Sequence, residues 1–321
     1  MLLIDCHVHL SALISPIFVS KALNISLYEA QHKMCNDSIG YHEFLDKFTI
    51  LNDIEWDFNL LLRTLGECED SLQCDGSLLR YSIDKYRPYF GMSDKSLNSM
   101  IYGEIRRVIP TALPVLSIKY EQEYDVTRQM AEDIIFRRTP ARNVDFVGNE
   151  EKATQFHFEM AKKLIDNEIN VFMHVGEGGN AENVDNAIQV GVKEISHGIA
   201  ISGHKSIIQS AIDNDVTFHI GMTSNIMTGA VDNINDHPIV DMFYSGLNIT
   251  IGSDDPVQCQ TTLKREYNIA HDLFYNKTKS PIRTREIMEI FQQNGVRAYI
   301  NCGGRIDEIA KSQESFRRSR E

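Results

Sequence analysis

The sequence predicts an α/β fold, a (β/α)8 barrel (TIM barrel) with a helical insertion after its first strand. Three observations point there. Short β-rich runs alternate with longer segments of helical period, the arrangement that feeds parallel strands through helical crossovers. The runs number eight. Histidines and carboxylates gather at the C-terminal ends of several of them, where parallel barrels place their chemistry.

In order along the chain, strands are predicted near 2–8, 79–86, 113–120, 143–147, 169–174, 193–196, 215–219 and 248–252. Helical segments lie between them at 123–138, 150–167, 181–191 and 204–214, and another follows the last strand at 262–275. About seventy residues separate the first two strands, more than one crossover needs, and Phe44, Leu45, Phe48 and Leu51 recur there at helical spacing. This segment is read as a helical insertion over the barrel mouth. After 283 a helical pattern continues into the polar tail from Lys311 to Glu321, read as a frayed end. With 321 residues and no repeat or linker, one barrel of ~250 residues plus insertions accounts for the chain as a single domain, 1–321.

Composition narrows the function. Hydrophobic residues at 42% and charged residues at 24% are the balance of a soluble globular protein. A net charge of -13 argues against a nucleic-acid partner, because backbone affinity comes from clustered Lys and Arg that release counterions. The first apolar run stops after four residues, too short for a signal-peptide core, and no stretch reaches the ~20 apolar residues of a membrane span. Six scattered cysteines contain no C-x-x-C, so neither a thiolate zinc site nor a disulfide framework is indicated, and a cytoplasmic location is expected.

The strand ends carry the chemistry. The first delivers His7-Val8-His9, and the alternation of side chains along a strand turns both imidazoles into the barrel mouth. His174 ends the fifth strand and Glu177 follows it; His197 ends the sixth; the eighth leads into Asp254-Asp255-Pro256. Imidazole nitrogens and a carboxylate oxygen suit Zn2+, and a catalytic site leaves one position open for water. His7, His9, His174 and Asp254 supply such a set, enough for one zinc ion per chain, and bound zinc lowers the pKa of water from 15.7 toward ~7. Glu177, His197 and Asp255 lie at the same rim. Singly, each has an ordinary reading: a histidine that packs or caps, an Asp-Asp-Pro that simply turns. Together, at four strand ends, they are hard to produce that way.

These segments resemble the adenosine and AMP deaminase family of the amidohydrolases. The resemblance extends to Gly148-Asn149-Glu150, Ser196-His197-Gly198, Thr223-Ser224-Asn225 with Thr228-Gly229, and Leu263-x-x-Glu266-Tyr267, spread over nearly the whole chain. Tyr41 to Phe48 is similar to the helix that gates the purine pocket in adenosine deaminases. The resemblance implies zinc-dependent hydrolytic deamination of an adenine-type purine, adenosine foremost, with adenine, AMP and N6-methyl-AMP as alternatives. It implies that His7, His9, His174 and Asp254 bind the metal, with Asp254 also serving catalysis. It further implies that His197 orients and deprotonates the attacking water and that Glu177 protonates N1. Asp255 would meet N7, the Gly148 N–H would meet N3, and His9, Phe44, Leu45 and Phe48 would line the substrate. The partner is then a small-molecule purine or purine nucleoside.

Two departures concern the sugar end. Where the family continues H-x-H-L with an acidic residue and Gly, this chain has Ser11 and Ala12, and that acidic residue meets the ribose 5′ end. The expected Glu-x-Arg of the second strand is altered, with Asp84 and Lys85 its nearest counterparts. Competing readings are a two-metal hydrolase, which needs a Lys or Glu at the fourth strand end where Val144 to Gly148 offers no Lys, and a cytidine-deaminase site, whose P-C-x-x-C is absent. A non-catalytic purine-binding barrel is expected to have lost a ligand or Glu177, and all are present.

Overall fold

A computed structural model describes residues 2–318. Eight parallel strands pair in chain order, each with the next. They are β1 (Ile4–His9), β2 (Gly76–Tyr81), β3 (Ala112–Lys119), β4 (Asn143–Val147), β5 (Asn170–Val175), β6 (Glu194–His197), β7 (Thr217–Ile220) and β8 (Asn248–Ile251). This is the predicted (β/α)8 barrel.

The sheet closes where β8 meets β1 at its C-terminal end. A parallel bridge joins Val8 to Asp254; His9 N donates to Asp254 O at 3.0 Å and Asp254 N donates to His7 O at 2.6 Å. Gly252 permits this approach, since a Cβ there would stand 2.8 Å from His7 O. Farther down the seam the helix Pro281–Asn301 packs in, and Asn294 Nδ2 donates to Ile249 O at 2.8 Å. Its Ala298 and Tyr299 join Ile4, Leu78, Val115 and Phe172 in an apolar cluster. Each large side chain so buried contributes about 1.5–3 kcal/mol. One end of the barrel is thereby packed with apolar side chains, and the histidines and carboxylates of the strand ends stand at the other.

The insertion after β1 is helical: Pro16–Leu23, Leu27–Met34, Tyr41–Asp46 and Phe58–Ser71. Three of these helices start on a capping side chain, with Ser15, Ser26 and Asp57 accepting from Phe18 N, Glu29 N and Leu60 N. Phe18, Met34, Trp56, Leu61 and Leu65 anchor the insertion to the barrel core. The other expected helices are present at Tyr124–Ile135, Gln155–Ile165, Ala181–Gln189, Lys205–Asp213 and Leu263–Thr278.

Two expectations are corrected. The second strand begins and ends earlier than predicted, at Gly76–Tyr81. Its arginine is therefore Arg80, with Leu78 two residues before it, while Asp84 and Lys85 lie in the loop beyond. An arginine inside an apolar run reads as a strand boundary, yet Arg80 is fully buried because carbonyls and a carboxylate take its donors. The tail from Lys311 is helical through Arg318, as part of Ile306–Arg318; the last residues of the predicted fray, 319–321, lie outside the described ones.

Candidate functional site

β1 presents His7 and His9 on one side, β5 adds His174, and the turn after β8 adds Asp254. Their Nε2 atoms stand 3.3 Å (His7–His9), 3.0 Å (His7–His174) and 3.2 Å (His9–His174) apart. Asp254 Oδ1 is 3.2 Å from His7 Nε2 and 3.5 Å from His9 Nε2. A tetrahedral zinc ion with bonds of 2.0–2.1 Å spaces its ligand atoms about 3.3–3.4 Å apart, so this donor set fits zinc. Burial holds His7 and His9 well below the ordinary imidazole pKa, which keeps them in the neutral form that a metal requires.

Groups behind these four hold them in place. His174 Nδ1 meets Asp145 Oδ1 at 3.0 Å, so its proton lies on Nδ1 and the Nε2 lone pair faces the cluster. Asp145 is held in turn by Arg80 Nε at 2.8 Å; burial works against its charge, but the Arg80 guanidinium and the hydrogen bonds from His174 and Arg80 keep the carboxyl ionised. Arg80 spends its other donors on Cys6 O, Leu78 O and Ser196 Oγ. On the opposite side, Asp5 accepts from His7 N, Ser253 N and Ser253 Oγ, which ties β1 to the turn that carries Asp254.

A second group of side chains adjoins the first. His197 Nε2 lies 3.5 Å from Glu177 Oε2 and 3.8 Å from Asp254 Oδ2. Both His197 and Asp254 adopt left-handed backbone (φ 66° and 59°), which non-glycine residues seldom do and which tertiary contacts must enforce. Glu177 Oε1 accepts from Asn225 Nδ2 and Thr228 Oγ1, each at 3.0 Å. Burial raises the Glu177 and Asp255 carboxyls above their ordinary range, and at Asp255 the Asp254 charge adds to the effect.

Proton positions follow from one backbone group. Ile239 N donates to His237 Nδ1 at 3.2 Å, so neutral His237 carries its proton on Nε2 and donates to Asn225 Oδ1 at 3.2 Å. Asn225 must then aim Nδ2 at both Glu177 Oε1 and His197 Nδ1, the latter at 3.1 Å. With Nδ1 accepting, neutral His197 carries its proton on Nε2.

Both groups border a cavity of about 1040 Å³, lined across from them by Phe44, Leu45, Phe48 and Gly148. Phe44 is buried; Leu45 is 38% exposed and sits at the rim. All eleven residues singled out in the sequence therefore meet at one cluster and its cavity. Sequence reasoning passed over Asp145, Arg80 and His237, and quoted Asn225 and Thr228 without a role. A charged residue within each of two apolar strands, Arg80 in β2 and Asp145 in β4, was the available signal, and it does not by itself pair the two across β3.

A sequence profile described as adenosine deaminase matches residues 108–299, more than half of the chain. An adenosine deaminase of Streptococcus agalactiae is 26% identical over 174 residues, 54% of this chain and 49% of that protein. One of Clostridium acetobutylicum is 25% identical over 309 residues, 87% of this chain and 90% of that protein. The chain spans about half the length, or less, of the first curated relatives it matches. Among solved structures, an amidohydrolase from Burkholderia ambifaria with bound Zn aligns at a TM-score of 0.79 with 15% identity, covering 99% of this chain and 90% of that one. The ADAL–IMP complex aligns at 0.77 with 17% identity, covering 99% and 96%. These two likenesses support the fold.

Proposed function

The chain belongs to the adenosine deaminase family, a metal-dependent one, and from that premise we propose that it is a zinc-dependent hydrolase that deaminates an adenine-type purine. We read 1–321 as one barrel domain that carries one zinc ion. The observation that carries the proposal is the set of three Nε2 atoms and one carboxylate oxygen at tetrahedral spacing, directly beside Glu177 and Asp255. No helix of the described residues is long and apolar enough to cross a membrane.

In this reading His7, His9, His174 and Asp254 hold the zinc. Bound there, zinc supplies the acidity that lowers the pKa of water toward ~7. Every other task falls to the chain. Glu177 retains its proton because it is buried, and gives it to N1, which makes C6 electrophilic. Asp255, also buried and raised, donates to N7, and the Gly148 N–H faces N3. His197 holds the water by donating from Nε2. Because Asn225 already occupies Nδ1, a role in orientation suits His197 better than that of base, a change from the expectation drawn from the sequence. The atoms balance: the water oxygen ends on C6, one water proton replaces the proton given by Glu177, and the other leaves with ammonia.

The test is to incubate purified protein of known zinc content with adenosine and with AMP, and to measure ammonia together with the deaminated product of each. Equimolar release that tracks zinc content supports the proposal; zinc-replete protein that binds purines without releasing ammonia favours the non-catalytic barrel.

A further inference from the structure

The cavity is electrically lopsided. From β4 round to the turn after β8 its lining includes Glu150, Glu177, Asp254 and Asp255. The sector from β1 to β3 holds both lysines of the lining: Ser11 follows β1, Ser82, Asp84 and Lys85 follow β2, Lys119 ends β3 and Glu121 follows it. Strand pairing sets these side by side. His9 is opposite Arg80, so Ser11 and Ser82 leave neighbouring strand ends at matching positions, and Tyr81 opposite Leu116 does the same for Asp84 and Lys119.

The charges of this sector other than Lys85 have partners, and Asn149 N donates to Glu121 Oε1 at 2.7 Å. Asp84 is held between Lys119 and Arg87, each at 3.2 Å, and both Asp94 oxygens grip Arg87 at 2.8 and 2.9 Å. That leaves Lys85, which forms no ion pair or hydrogen bond among the described residues. Burial, with the Lys119 charge added, pulls its ammonium down to about 8, a cost that an anion in the cavity would relieve. Hydroxyl donors stand close by. Ser82 Oγ accepts from Asp84 N at 3.2 Å, which leaves its own proton free, and Ser11 puts a neutral hydroxyl where an acidic side chain would repel an anion.

We propose that Lys85, with Ser11, Ser82 and Lys119 around it, forms an anion subsite for a phosphate monoester of the substrate. The preferred substrate is then an adenine nucleoside 5′-monophosphate rather than the free nucleoside. The inference rests on the reading above, which sets the purine C6 against the histidine cluster and leaves the sugar to extend toward β1–β3. A phosphate monoester carries about -1.5 to -2 charges at pH 7, enough to compensate Lys85 fully. The cavity, at about 1040 Å³, is at the upper end of the ~300–1,000 Å³ common for small-molecule sites, so a nucleotide finds room.

The experiment compares kcat/KM for AMP and adenosine in the zinc-loaded wild type, Lys85→Met, Lys85→Gln and Lys85→Arg. Wild type should favour AMP; the Met and Gln variants should lower the AMP-to-adenosine ratio by about 10-fold or more, the scale of a lost hydrogen bond to a charged group, and Arg should keep most of it. Calorimetry with inosine 5′-monophosphate and inosine gives a readout free of turnover, and the nucleotide should bind wild type at least ~10-fold more tightly. A wild type that favours adenosine, or a ratio unmoved by both neutral variants, overturns the subsite and leaves the deaminase reading standing. If no adenine compound is deaminated, that reading fails and calorimetry alone decides: nucleotide preference lost in Lys85→Met upholds the subsite, and equal affinities in wild type overturn it.

Discussion

His237 holds Asn225 by a hydrogen bond from Nε2 to Oδ1 at 3.2 Å, and that contact orients an amide that touches both Glu177 and His197. Neither His237 nor Asn225 needs to meet the substrate to matter. Freed from His237, the amide can turn over and present its oxygen to Glu177 and His197, which reverses the donor at both.

His237→Ala is therefore expected to keep zinc content and lower kcat about 10-fold or more, the range of one or two buried hydrogen bonds to charged or polar groups, with less effect on KM. Nitrogen-15 spectra of the imidazoles check the cause separately. His197 should report a proton on Nε2 in wild type and a mixture of tautomers in the variant. An unaltered His197 signal would show that the orientation is set elsewhere.

The metal cluster makes a prediction at two depths. His174→Ala removes one of four donors and should abolish both zinc retention and activity. Asp145→Asn keeps the shape but loses the carboxylate that accepts from His174 Nδ1, and should weaken zinc about 10- to 100-fold, read by competition with a chelator. Equal zinc affinity in wild type and Asp145→Asn would confine Asp145 to a structural pairing with Arg80.

Glu177→Gln separates metal binding from proton transfer. The amide can still accept from Asn225 and Thr228, so fold and zinc content should hold, while kcat should fall at least ~100-fold because no proton can be given to N1. Turnover near the wild-type rate would remove Glu177 from the role of acid.

How much of this was legible in the sequence depends on distance along the chain. His7, His9, His174 and Asp254 could be found because each ends a strand, and strand ends are readable from local pattern. The groups that hold them could not. Asp145 meets Arg80 across 65 residues and His174 across 29, and nothing in Val144 to Val147 marks one aspartate as the partner of either. Arg80 also misled, because a buried arginine breaks the apolar run by which a strand is recognised, and the predicted strand slid toward Asp84 and Lys85 as a result. His237 acts through Asn225, so its role depends on a hydrogen-bond direction that only the folded backbone at Ile239 reveals.

The β1–β8 seam should tolerate no added atom at Gly252. A Cβ there would stand 2.8 Å from the carbonyl oxygen of His7, and His7 and Asp254 are bonded through that same backbone. Gly252→Ala is expected to cost about 1–3 kcal/mol, as overpacking does, and to weaken zinc retention in step. Urea unfolding and zinc titration on the same sample check both; lost stability with undiminished zinc affinity would show that the seam relaxes without moving the ligands.

Ser11 makes the sharpest demand on the sugar end. It stands where the family resemblance places an acidic residue near the ribose 5′ end, and it lines the same sector of the cavity as Lys85. In Ser11→Asp the new carboxylate would pair with Lys85, repel a phosphate and offer a strong acceptor to a free 5′-hydroxyl. Two ratios should then move in opposite directions. The AMP-to-adenosine ratio of kcat/KM should fall, and the adenosine-to-5′-deoxyadenosine ratio should rise by roughly the 1.5–3 kcal/mol of a hydrogen bond to a charged group. Should both ratios stay where they are in wild type, Ser11 does not face the sugar, and discrimination at the 5′ end belongs to the 41–48 segment, whose Phe44, Leu45 and Phe48 close the cavity from above.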